Sequence, residues 1–143
     1  MNVSTILKHK GAKVITSPPE TTLNDVAQLL NEHKIGSVVI LDSSGEVCGI
    51  VSERDIVTAI ATQGGAVLGE AVTVCMTKNV FTCTQEDTLE KLMSEMTKHH
   101  FRHLPVIDSG KLVGLVSIGD VVKQRISEAE MEAAAMRDYI TTG

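Results

Sequence analysis

Apolar residues fall at Leu23, Val26, Ala27 and Leu30, and again at Leu89, Leu92, Met93 and Met96. Spacings of three and four put each set on one face of a helix, the first opening near Thr22 and the second near Thr88. A short β-rich stretch precedes each stripe (Val14–Thr16, Val80–Thr82). Two more follow it: Ser37–Leu41 then Val47–Val51, and His103–Ile107 then Leu112–Val116. Asp-Ser-Ser-Gly and Asp-Ser-Gly join the paired runs, and links this short and polar read as β-hairpin turns. A further helix closes each set, over Glu53–Thr62 and Ile118–Ile126.

The two sets are one pattern written twice. An offset of 66 lays Thr16 on Thr82, Glu20 on Glu86, Thr22-Leu23 on Thr88-Leu89, His33 on His99 and Asp42 on Asp108. One residue is lost in the hairpin turn, and an offset of 65 then matches Gly49 with Gly114, Val51-Ser52 with Val116-Ser117 and Asp55 with Asp120. The expected fold is an α+β (α/β) domain: two βαββα repeats, residues 13–61 and 79–126, packed about a pseudo-twofold axis within a single module spanning 1–143. Neither repeat alone can cover both faces of its strands. Gln63-Gly64-Gly65 to Glu70 reads as a flexible linker. The C-terminal segment 127–143 reads as a helix with Ala129, Ala133, Met136 and Ile140 on one face. That face would pack on its own domain or join two protomers.

Composition narrows the partners. A chain of 143 residues suits one domain with a real core, and with no tryptophan, two phenylalanines and one tyrosine that core must be aliphatic. A formal charge of −5 and the absence of a basic cluster disfavour nucleic acid. No run is apolar enough to span a membrane, and residues 1–13 lack the apolar segment of a secretory signal, so a cytoplasmic protein without membrane contact is expected. Cys48, Cys75 and Cys83 lack disulfide or zinc spacing and read as reduced cysteines in or near the core.

The candidate chemistry lies where a strand meets a helix, Gly49-Ile-Val-Ser52-Glu-Arg54-Asp55 and Gly114-Leu-Val-Ser117-Ile-Gly-Asp120. Ser-x-x-Asp is close to a helix capping box. The same geometry offers a hydroxyl and a helix N-terminus to a phosphate and a carboxylate to vicinal ribose hydroxyls, with a strand glycine allowing close approach. Both readings stand on these residues alone.

The duplication, the strand–Ser-x-x-Asp–helix endings and Phe101-Arg102-His103-Leu104-Pro105-Val106 together resemble a CBS domain pair, the Bateman module named after cystathionine β-synthase. The resemblance covers about residues 12–126. It implies clefts for adenosine-containing ligands: AMP first, then ATP, NAD(H) or S-adenosylmethionine, none as a catalytic cofactor. Asp55 with Ser52, and Asp120 with Ser117, would hold ribose and phosphate. The adenine would sit against Lys13, Ile15, Ile35, Gly36 and Ser37 in the Asp120 cleft, and against Asn79, Phe81, Phe101 and Arg102 in the Asp55 cleft. Arg102-His103 stand where the first repeat has Gly36-Ser37, and a guanidinium beside an imidazole suits a phosphate. Arg54 has Gly119 as its counterpart. The sites should therefore be unequal, with Asp120 and Arg102 forming the better one.

The resemblance also implies a homodimer and a separate regulated protein. His99, His100 and His103 are not spaced to converge on a metal. No nucleophile–base pair stands out, so an enzyme is not expected. The main competitor is a ligand-free interaction domain in which the Ser-x-x-Asp motifs only cap helices.

Overall fold

The computed structural model describes residues 1–142. Its elements are α1 (Val3–Lys10), β1 (Thr16–Ser17), α2 (Leu23–His33), β2 (Ser37–Leu41), β3 (Val47–Ser52), α3 (Glu53–Gln63), α4 (Leu89–His99), β4 (His103–Asp108), β5 (Lys111–Ser117) and α5 (Ile118–Thr142). The helical stripes form as their spacing predicts. Thr22 and Thr88 cap α2 and α4, their hydroxyls accepting from the Asp25 and Lys91 N–H groups at 3.2 Å each. The hairpins β2–β3 and β4–β5 are antiparallel, with Ser37 opposite Ser52 and His103 opposite Ser117. That register sets each β2 or β4 start beside a Ser-x-x-Asp motif.

The leading strands differ from expectation. β1 is Thr16–Ser17, parallel to β2, whereas Val80–Thr82 forms no strand and only Cys83 bridges to Val106. Pro105 supplies the reason. In the first repeat the Val39 N–H donates to the Ile15 carbonyl at 3.4 Å; at the matching place in the second stands Pro105, which has no N–H. The ladder therefore stops at Cys83, whose N–H donates to Pro105 O at 2.9 Å and whose carbonyl accepts from the Ile107 N–H at 2.8 Å.

Two buried clusters form the core, and each is completed by the segment that precedes the other repeat. Val3, Ile6 and Leu7 of α1 enter the cluster of Leu89, Leu92, Met96, Leu104, Val106, Val116 and Val121. Val67 and Val72 enter that of Leu23, Val26, Val38, Ile40, Val51 and Ile56. Backbone bonds tie down each crossing: Val3 N–H to Asp87 O and Leu23 N–H to Glu70 O, both 3.0 Å. The stretch read as a flexible linker is thus a 3-10 turn, Gly65–Gly69, with Val67 buried.

This exchange also corrects the reading of the strand glycines. A Cβ on Gly114 would lie 2.7 Å from Leu7 Cδ2, and one on Gly49 would collide with the Met76 side chain. They admit a neighbour of the core, not a ligand. At the C-terminus, Ile118–Ile126 and the tail are one helix, α5. Its outer residues do not pack on the domain: Met136 and Ile140 are 61% and 71% exposed.

Candidate functional site

Both Ser-x-x-Asp motifs fold as complete capping boxes, because a serine at the end of an extended strand is positioned to accept from the N–H three residues on. Ser52 Oγ accepts from the Asp55 N–H (3.2 Å) while Asp55 Oδ2 accepts from the Ser52 N–H (2.9 Å). Ser117 and Asp120 repeat this at 3.1 and 2.8 Å. Each box occupies Oδ2 of its aspartate, and the two sites diverge in what else stands beside the carboxylate.

Around Asp55 lies a cavity of about 690 Å³, within the range of small-molecule sites. It gathers Gly36, Ser37, Ser52, Arg54, Asp55, Asn79, Phe81, Phe101, Arg102 and His103. Among the described residues, Lys13, Ile15, Ile35, Ser117 and Asp120 do not line it. One wall is a stack of three rings: Phe81 on His99 (centroids 4.3 Å) and on Phe101 (5.0 Å), with His99 and Phe101 nearly parallel at 5°. Because Pro105 stops the ladder, Phe81 is outside any strand and remains 46% exposed. An open aromatic face of this kind suits a planar heterocycle. The lining also includes Asp55 and Ser37, whose hydroxyl is buried without a hydrogen-bond partner among the described residues. Arg54, Arg102 and His103 bring cationic or donor groups to the same space.

Asp120 is engaged from within the chain. Lys10 Nζ donates at 2.6 Å to the same Oδ2 of Asp120 that accepts from the Ser117 N–H, and at 2.8 Å to Leu115 O, so an ammonium of α1 neutralises this carboxylate from within the chain. Of the pair expected to form the better site, Arg102 lines the Asp55 cavity and Asp120 does not. Ile15 and Ile35 pack beside the first core, and Lys13 is exposed.

A model of the CBS domain matches the chain twice, over residues 4–62 and 69–127. The chain belongs to the CBS domain family. A CBS-domain protein from Agrobacterium tumefaciens, ATU1752, is 47% identical, and the match covers 87% of this chain and 99% of that one with a TM-score of 0.85. The CBS pair of MJ0100, solved with 5′-methylthioadenosine and S-adenosylmethionine, is 25% identical over 90% of this chain and 98% of the other, TM-score 0.80. PAE2072 from Pyrobaculum aerophilum, complexed with AMP, is 26% identical over 84% and 89%, TM-score 0.75.

Within this CBS pair the cavity includes residues that the sequence pattern did not single out. Glu53, Val57, Thr77 and Val80 line it, as do His99 and His100, weighed only as metal ligands, with His99 in the aromatic wall. The match of His33 with His99 in the repeat gave no sign of that role, because ring stacking depends on Phe81 leaving the sheet. His103 explains a glycine: a Cβ on Gly36 would come within 3.3 Å of its Nε2 and 3.4 Å of Glu53 Oε1. Burial, helped by the nearby Lys10 charge, pulls His103 below the usual histidine range, against Asp120 and Glu53, so the ring is neutral at pH 7.

Burial acts to raise the Asp120 carboxyl, but the Lys10 and Ser117 hydrogen bonds outweigh it and the group lies below its ordinary 3.8. A lowered folded-state value means stabilisation that is present above pH 4 or so and lost as pH falls through the folded value. Asp120→Asn keeps an acceptor for Ser117 and removes the charge. It is expected to be less stable than the parent at pH 6, with the gap closing toward pH 3. Urea midpoints across that range check this, and a gap that stays constant counts against the Lys10–Asp120 pair.

Proposed function

We propose that this CBS pair is a regulatory module that binds one adenine nucleotide, AMP before ATP or NADH, in the Asp55 cavity and senses energy or redox state. The observation that carries the reading is the co-location of an open three-ring wall, a free carboxylate oxygen on Asp55 and a buried, unpartnered Ser37 hydroxyl. The wall suits the adenine and Asp55 the ribose diol, while Arg102, Arg54 and the Ser52 helix end suit the phosphate. The AMP and S-adenosylmethionine complexes of related pairs support the ligand class. The signal would pass through a homodimer to a separate regulated protein in the cytoplasm. Neither nucleic acid nor a membrane takes part, and no helix here is long and apolar enough to cross a membrane among the described residues.

Isothermal titration with AMP, ATP, NADH and S-adenosylmethionine tests this. AMP is expected to bind one per chain in the micromolar range, and Arg102→Ala to weaken it about tenfold through a lost charge-assisted bond. A second reading, a ligand-free interaction domain, draws on the two complete capping boxes. Silence from all four ligands would select it.

A further inference from the structure

The outer face of α5 carries an apolar seam that the domain does not use. Val122, Ile126, Ala129, Ala133, Met136 and Ile140 follow one another at spacings of four, three, four, three and four. This is the alternation of d and a positions in a heptad, held over about 27 Å of helix. All six are exposed, Val122 and Ile126 at 46% and 55%. Beyond Val122 the half-buried residues of the helix, Gln124, Ser127, Glu128 and Ala134, lie on the other side, where Gln124 and Glu128 face Met1.

We propose that this seam is a parallel, in-register coiled coil with α5 of a second copy of the chain. The charges flanking it specify both the partner and the direction. In a parallel pair each g residue faces the e residue of the next heptad across the seam. Here that sets Arg125 against Glu130 and Glu132 against Arg137, and twofold symmetry repeats both, giving four attractive pairs. An antiparallel pair centred on the same stretch would instead oppose Glu132 to Glu132, Glu130 to Glu130 and Lys123 to Arg137. Arg125 already contacts Glu128 at 3.0 Å and Glu90 at 3.5 Å within one chain. Glu132 and Arg137 have no ion pair among the described residues, so their charges are available to a partner. The helix is already formed on the domain, so association need not nucleate it. A parallel seam holds the two modules at the same end of the coil, with their second repeats adjacent.

The inference rests on the homodimer of the proposed function but not on its ligand, and it is tested without nucleotide. Sedimentation equilibrium of the full chain is expected to give a dimer. Glu132→Arg and Arg137→Glu are each expected to raise its dissociation constant about tenfold, since two pairs turn repulsive. The double variant E132R/R137E should restore the parent value, a rescue that a loss of folding cannot produce. Met136→Cys should form an interchain disulfide on mild oxidation while the parent does not. A monomer at all concentrations, a dimer indifferent to both charge reversals, or single variants without rescue would each overturn the proposal.

Discussion

Removing residues 1–10 is expected to abolish cooperative folding of this domain, although they precede the first repeat as its sequence pattern defines it. Val3 is fully buried, and Ile6 and Leu7 are nearly so, all three inside the second repeat's core. At about 1.5–3 kcal/mol for each buried aliphatic side chain, their loss rivals the roughly 5–15 kcal/mol of a whole domain. Urea unfolding followed by circular dichroism should show a broad, early transition in place of a sharp one. The point variant Leu7→Ala isolates the cause and should cost about 2–5 kcal/mol by leaving a cavity over Gly114. Gly114→Ala, whose Cβ would stand 2.7 Å from Leu7 Cδ2, should be destabilising alone and much less so beside Leu7→Ala, since the two changes share one contact. A truncated chain with the parent's midpoint would show that α1 does not belong to this core.

The two aspartates should behave unequally toward AMP. Asp55→Ala is expected to weaken binding about a hundredfold, the order lost when two charge-assisted hydrogen bonds go. Asp120→Ala should leave affinity within about twofold, because its carboxylate is already bound by Lys10 and Ser117 and lies outside the cavity. Both variants lose the carboxylate half of a capping box, at about 0.5–2 kcal/mol, and Asp120→Ala loses the Lys10 pair as well, so the variant expected to keep binding should be no more stable than the one expected to lose it. Titration calorimetry beside thermal melts reads both quantities. Binding lost in Asp120→Ala and retained in Asp55→Ala would return the site to the cleft that the sequence favoured.

The contrast between the two aspartates shows where sequence reasoning stopped. Arg102 and His103 were legible as the feature that makes the repeats unequal, and they do line the cavity. Which aspartate they accompany was not legible, since it depends on how one repeat turns toward the other. Lys10 carried no signal at all: it belongs to no motif and reaches Asp120 across 110 positions of chain. His99 was hidden for a related reason, because its stacking on Phe81 follows from a missing N–H at Pro105, six residues further on.

The sequence by itself determined the local and the repeated. Helical stripes, hairpins, serine caps and the alignment of one half on the other all follow from periodicity and short-range hydrogen bonding, whose partners lie within a few residues. The CBS resemblance rested on those same features. Tertiary structure alone decided the exchange of leading segments between repeats, the filling of Gly49 and Gly114 by Met76 and Leu7, the Lys10 contact on Asp120 and the opening beside Asp55. Each depends on contacts between residues far apart in the chain. No spacing encodes them, because what selects the partner is the space left when both cores close.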